Sequence, residues 1–190
     1  MRLFIAINFT EMTKKQLGMA VEKLKKISDR GNFTPWANYH LTLKFIGESC
    51  QLDRWTRCLD SIEAAPFKLY PQSIGKFNRQ NKDLYWVGFK NNENILFLYK
   101  DLQKYLVEEG NFAPENLFMP HMTIGRGIVI KNNTDITEII DDTNKKLQEI
   151  VIDVDSASLM LSETKKYGVV YSELYKKYLN NNQIKSDEIK

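Results

Sequence analysis

The chain contains two histidines, His40 and His121, and each heads the same four-residue pattern. The first reads His40-Leu41-Thr42-Leu43. The second reads His121-Met122-Thr123-Ile124, 81 residues later. Sliding the first half along the second by that offset brings the surrounding apolar pattern into register. Leu3 to Ile7 fall on Leu84 to Gly88, and Leu17, Val21 and Leu24 fall on Leu98, Leu102 and Tyr105. Trp55 and Leu59 fall on Ile136 and Ile140. Self-similarity at a fixed period restricts the fold to repeated supersecondary units. Each unit here reads strand, helix, strand, helix, strand.

The local signals behind that reading are specific. Residues 2–8 form a short apolar run, expected as a buried strand. Residues 10–29 carry Leu17, Ala20, Val21, Leu24 and Ile27 at helical spacing, with Thr10 or Thr13 as cap and Gly31-Asn32 as the stop. Residues 39–46 alternate and end at Gly47, which predicts a half-buried strand. Residues 53–65 predict a helix closed by Pro66, and 67–77 an extended segment. In the second half, strands are expected at 84–89, 118–125, 150–161 and 168–175, with helices at 94–109 and 134–149. A polar, basic turn at 78–83 joins the halves. The expected organisation is one bilobal domain over 1–178, with repeats of about 1–81 and 82–162 and a polar tail over 179–190.

Composition excludes several classes. Hydrophobic residues make up 43% and charged residues 27% of the 190, as in an ordinary globular domain. The net charge of +3 is compatible with an anionic ligand without demanding one. No apolar run reaches the roughly 18 residues of a membrane span. The start lacks the apolar core of a secretory leader, so a cytoplasmic location is expected; the chain is taken to act as a monomer. Cys50 and Cys58 are too few and wrongly spaced for a zinc or redox motif.

In a strand, residues i and i+2 share one face, roughly 6.5–7 Å apart. His40 and Thr42 therefore point one way while Leu41 and Leu43 enter a core, and the second motif repeats the arrangement. A single such histidine is most simply a packed strand residue. With ten threonines among 190 residues, chance rarely places one two positions after both histidines. Imidazole gives or takes a proton near neutral pH. Two of them on opposite sides of one atom suit an in-line displacement, one deprotonating the nucleophile and the other protonating the leaving group. A threonine hydroxyl beside each can donate to a non-bridging oxygen. A tetrahedral phosphate offers that symmetry. Neither motif has the Cys, Asp or Glu neighbours of a zinc site, so no metal or other cofactor is expected.

The motifs His40-Leu-Thr42-Leu-Lys-Phe-Ile-Gly47 and Pro120-His121-Met-Thr123-Ile-Gly-Arg126 resemble those of the 2H phosphoesterase superfamily. Within it the chain resembles the RNA 2′,3′-cyclic phosphodiesterases, also called 2′-5′ RNA ligase-like proteins. Met1-Arg-Leu-Phe-Ile-Ala-Ile and Trp86-Val-Gly88 fit as well. The resemblance covers about residues 1–175. It implies an α+β fold of two pseudo-symmetric lobes, each an antiparallel sheet with outer helices, around a cleft carrying both motifs. It implies His40 as proton donor and His121 as proton acceptor, with Thr42, Thr123 and Arg126 binding substrate. The implied substrates are RNA 3′ ends or nucleotides bearing a 2′,3′-cyclic phosphate, opened to a 2′-phosphomonoester. A 2′-5′ linkage hydrolase or ligase, and a non-catalytic nucleotide-binding module, are the alternative readings. Arg126 follows His121 and Thr123 on the opposite pleat unless Gly125 bends the strand. Trp36, Tyr39, Phe45 and Tyr167 are candidates to stack on a base. Relatives often carry Arg-Pro-Arg where this chain has Lys76, Arg79 and Lys82. The segment 162–171 keeps Ser162, Gly168 and Tyr171 without the usual proline.

Overall fold

The computed structural model describes residues 1–78, 83–90, 92–115, 117–132 and 134–180. Most of the expected basic turn, 79–82, and residues 181–190 of the expected tail lie outside the described residues. Chain order is β1 (Arg2–Asn8), α1 (Glu11–Lys26), β2 (Ser28–Phe33), a 3-10 turn (Trp36–Asn38), β3 (His40–Glu48), α2 (Leu52–Asp60), β4 (Phe67–Leu69) and β5 (Pro71–Phe77). The second half adds β6 (Leu84–Phe89), α3 (Glu93–Glu108), β7 (His121–Ile130), α4 (Ile136–Gln148), β8 (Ile152–Val154), β9 (Ser156–Lys165) and β10 (Gly168–Tyr178).

Two four-stranded antiparallel sheets form, in the orders β10-β9-β1-β3 and β2-β7-β6-β5. The triplets β9-β1-β3 and β5-β6-β7 within them match strand for strand. Each sheet draws strands from both halves of the chain. Helices cross over too: α2 packs on β9 and α3, while α4 packs on β5 and α1. Antiparallel β4 and β8 tie the halves together, with Phe67 opposite Val154 and Leu69 opposite Ile152. Lys68 and Asp153 pair at the centre, Nζ to Oδ1 2.6 Å.

The buried strands are β1 and β6, whose apolar runs supply Leu3, Ile5, Ile7, Val87 and Phe89 to one continuous core. Helix α1 adds Leu17, Val21 and Leu24, and α3 adds Ile95, Leu98 and Leu102. Thr10 caps α1, its hydroxyl accepting from the Thr13 N–H at 3.2 Å. The second face of β1 carries Phe4 and Ala6, which pack with Met160 and Tyr171 in a small separate cluster.

Several expected boundaries shift for visible reasons. Helix α1 stops at Lys26 rather than near 29, because residues 28–33 leave it to form β2 on the edge of β7. That strand has no apolar alternation and is held by backbone pairing, so sequence periodicity did not reveal it. Helix α2 ends at Asp60, five residues before the expected limit, and Glu63 N–H donates instead to Asp101 Oδ2 at 2.8 Å. Strand β7 starts at His121 rather than 118, since Phe118 stacks on Tyr99 of α3 with ring centroids 3.9 Å apart. The expected strand 150–161 divides at Asp155 into β8 and β9. Packing continues past 178: Leu179 is buried and its N–H donates to the Asp155 carbonyl at 2.8 Å. No helix among the described residues is long and apolar enough to cross a membrane.

Gly125 is required by close approach. A Cβ there would lie 2.9 Å from both the Asn32 carbonyl oxygen of β2 and Ile128 Cδ1. Gly125→Ala is expected to lower the unfolding free energy by about 1–3 kcal/mol, the usual penalty of overpacking, in urea denaturation.

Candidate active site

Strands β3 and β7 bring the two motifs to a common pocket. His40, Thr42, His121, Thr123 and Arg126 all line it, with Thr34, Asn38, Phe45 and Tyr171 completing the wall. Its volume is about 60 Å³. Leu41, Leu43, Met122 and Ile124 are buried behind it, as the strand alternation requires.

Both strands bulge at the same place. On β3, Ala6 opposes Thr42 and Ile5 opposes Lys44, leaving Leu43 as the extra residue. On β7, Trp86 opposes Thr123 and Tyr85 opposes Gly125, leaving Ile124 extra. A bulge puts two successive residues against one partner and re-aims the side chains beyond it. Lys44 and Gly125 consequently face inward with the bulged residue, and both are buried. Phe45 and Arg126 swing to the pocket side. Gly127 comes next with φ +63, a left-handed conformation that glycine adopts without strain. Arg126 therefore joins the two histidines instead of lying on the far pleat.

Each imidazole is fixed from behind. His40 Nδ1–H donates to the Asn38 carbonyl at 2.8 Å, and His121 Nδ1–H donates to the Met119 carbonyl at 2.8 Å. A carbonyl only accepts, so in the neutral ring the proton sits on Nδ1 and Nε2 keeps its lone pair. Thr42 Oγ1 lies 3.0 Å from His40 Nε2 and donates to it in that state. Asn38 is itself held, its Nδ2 donating to the Val169 carbonyl of β10 at 2.8 Å. Aromatic rings flank both histidines. Phe4 and Tyr171 stand 5.0 and 5.1 Å from His40, and Phe77 and Trp86 stand 5.6 and 6.2 Å from His121, centroid to centroid.

The electrostatics are less symmetric than the geometry. Desolvation by these surroundings lowers the His40 pKa from 6.5 to about 4, against the opposing bond to the Asn38 carbonyl. The charges of Lys14 and His121 lower it further. Among the described residues no group of three His, Cys, Asp or Glu side chains is placed to hold a metal ion.

Of the aromatic candidates, Phe45 lines the pocket and Trp36 lies in the groove beside it. Tyr39 is buried, its hydroxyl pKa pushed up to about 12 by desolvation and then by Glu22, and it does not line the pocket. Tyr167 is almost fully exposed on the turn between β9 and β10 and does not line the pocket. Sequence reasoning missed Thr34 and Asn38. They sit in the irregular link between β2 and β3, and Thr34 is placed by a 2.8 Å bond from its N–H to the Ile124 carbonyl. No periodic signal marks such residues.

The architecture is that of the 2H phosphoesterases. A family model described as the 2′-5′ RNA ligase superfamily matches residues 13–166. The RNA 2′,3′-cyclic phosphodiesterase of Thermotoga maritima is 32% identical over 186 residues, covering 92% of this chain and 94% of its own. That of Methanothermobacter thermautotrophicus is 28% identical over 181 residues, covering 91% and 96%. E. coli LigT superposes with a TM-score of 0.71 at 20% identity, over 94% of this chain and 96% of its own. The chain belongs to the RNA 2′,3′-cyclic phosphodiesterase family of the 2′-5′ RNA ligase superfamily.

The lowered His40 pKa couples folding to pH. The unfolded chain binds this proton more tightly than the folded one. The stability from a neutral His40 is therefore complete above pH 6.5 and is lost as pH falls toward 4. The loss should be on the order of 3 kcal/mol. Urea denaturation across that window is expected to show it, and His40→Gln to flatten the slope. An unchanged slope in the variant would contradict the assignment.

Proposed function

We propose that the protein hydrolyses the 2′,3′-cyclic phosphate at an RNA or nucleotide end to a 2′-phosphomonoester by two-histidine acid–base catalysis. The observation that carries this reading is the convergence of both imidazoles and both threonine hydroxyls on one small pocket. Kinship with RNA 2′,3′-cyclic phosphodiesterases supplies the substrate class.

In the reaction, His121 Nε2 takes a proton from water as the oxygen attacks phosphorus. The bond from phosphorus to O3′ breaks, and O3′ takes a proton from His40 Nε2. The phosphate remains on O2′. Thr42 and Thr123 donate to the non-bridging oxygens, where charge builds, and Arg126 opposes that charge. Arrival of the anionic substrate favours protonated His40, since a nearby opposite charge raises an imidazole pKa. The two carbonyl-held Nδ1 atoms keep both Nε2 atoms aimed inward throughout. No step calls on a metal.

The depressed His40 pKa favours a second assignment with the roles exchanged, His40 as base and His121 as acid. A substrate whose leaving group departs without a proton, such as a p-nitrophenyl phosphodiester, separates the two. It spares the variant lacking the acid and not the one lacking the base.

His40→Ala and His121→Ala are each expected to lose about 10²–10⁴-fold in kcat on a 2′,3′-cyclic nucleotide, the usual worth of a positioned proton transfer. Near wild-type turnover in either would sink the mechanism. Thr42→Val and Thr123→Val should cost up to roughly 2.7–4 kcal/mol of transition-state stabilisation, with Thr→Ser mild. Equal damage from Val and Ser would assign the threonines to packing. Turnover in EDTA should match the untreated rate, with ³¹P NMR placing the product phosphate on O2′. Binding without turnover would mark a nucleotide-binding module instead.

A further inference from the structure

A second, larger groove of about 540 Å³ runs beside the two-histidine pocket. One wall is α1, through Lys15, Met19, Glu22 and Lys25. The other is the link from β2 to β3, through Phe33, Pro35, Trp36 and Tyr39. Thr34 lines both the groove and the pocket, so the two cavities adjoin. The link serves both: Asn38 lines the pocket, while the exposed Trp36 and the buried Tyr39 line the groove.

A pocket of about 60 Å³ takes the reacting phosphate but not a nucleoside. Base and ribose must lie along its walls. Two exposed rings are available there. Phe45, 62% exposed, stands on the pocket wall, within reach of the reacting nucleotide. Trp36 is 49% exposed and is seated against α1 at Gly18, where an added Cβ would come within 3.3 Å of the Trp36 Cβ. A ring fixed at its root with an open face is the form of a stacking platform. The groove also has the size and mixed lining of a small-molecule subsite. Its two cations outnumber its one carboxylate. Among the described residues neither Lys15 nor Lys25 has an ion-pair partner.

We propose that this groove binds the nucleotide on the 5′ side of the reacting one, with its base on Trp36 and its phosphodiester beside Lys15 and Lys25. The preferred substrate is then an RNA end of two or more nucleotides rather than a mononucleotide. The inference rests on the function proposed above, and its test is separable from it.

The test compares kcat/KM for adenosine 2′,3′-cyclic phosphate with that for the dinucleotide ApA bearing the same cyclic end. Wild type is expected to favour the dinucleotide by at least about 5-fold, and by up to about 150-fold, the range over which alanine substitution weakens base stacking. Trp36→Ala and Lys25→Glu should each bring the ratio close to one, and Trp36→Phe should keep most of it. A wild-type ratio of one, or an unchanged ratio in both Trp36→Ala and Lys25→Glu, would overturn the subsite. If neither substrate turns over, the catalytic reading fails and the subsite is decided by binding. The Trp36 indole N–H resonance, assigned with Trp36→Phe, should then shift with ApA 3′-phosphate and not with adenosine 3′-phosphate. No shift, or equal shifts, would overturn it.

Discussion

The site depends on the pairing of β3 with β1 and of β7 with β6. Those ladders bury Leu41, Leu43, Met122 and Ile124 against the common core. A strand has only two faces, so burying these four commits His40, Thr42, His121 and Thr123 to the other. A slip of one residue in either strand would exchange the faces and expose two large apolar side chains. At about 1.5–3 kcal/mol each, that is roughly 3–6 kcal/mol per strand, against a total stability of about 5–15 kcal/mol for a domain. The register that positions the chemistry is thus held by the hydrophobic effect, on residues that touch no substrate.

The matched bulges at Leu43 and Ile124 add a second layer of control. They bring one more side chain from each strand to the pocket, Phe45 from β3 and Arg126 from β7. The positions correspond, and their chemistry differs: a flat apolar ring on one side, a planar cation on the other. The residues just before them differ as well. Lys44 is tolerated because β3 is a sheet edge, where its ammonium pairs with Glu115. Its counterpart is Gly125, because β2 covers β7 and leaves no room for a Cβ.

Departures of this kind suit the proposed reaction. An in-line displacement needs one imidazole charged and the other neutral, so a perfectly symmetric site would serve it poorly. The symmetric part of the structure aims the two rings, through identical Nδ1–H bonds to carbonyls two residues upstream. The asymmetric part sets their environments. Phe4, Tyr171 and the nearby Lys14 surround His40, while Phe77 and Trp86 flank His121. Strand β10 supplies Tyr171 and holds Asn38 on one side only.

Much of this was legible in the sequence. The paired motif, the 81-residue offset and the period-two alternation identified the two strands, the four core residues behind them and His40, Thr42, His121 and Thr123 on the pocket face, while Arg126 was pointed to by the family resemblance alone. Local periodicity suffices there because alternation and burial are properties of a single strand. Tertiary structure alone decided the rest. The backbone-held β2 carries no apolar pattern. The bulges that rescue Arg126 depend on what lies opposite the strand. The exchange of strands and helices between sheets depends on long-range pairing. Thr34 and Asn38 reach the pocket from an irregular link, and the rings that bury His40 come from β1 and from β10 at the far end of the chain. A sequence records what each segment prefers to bury; which neighbour buries it is settled only when the distant segments meet.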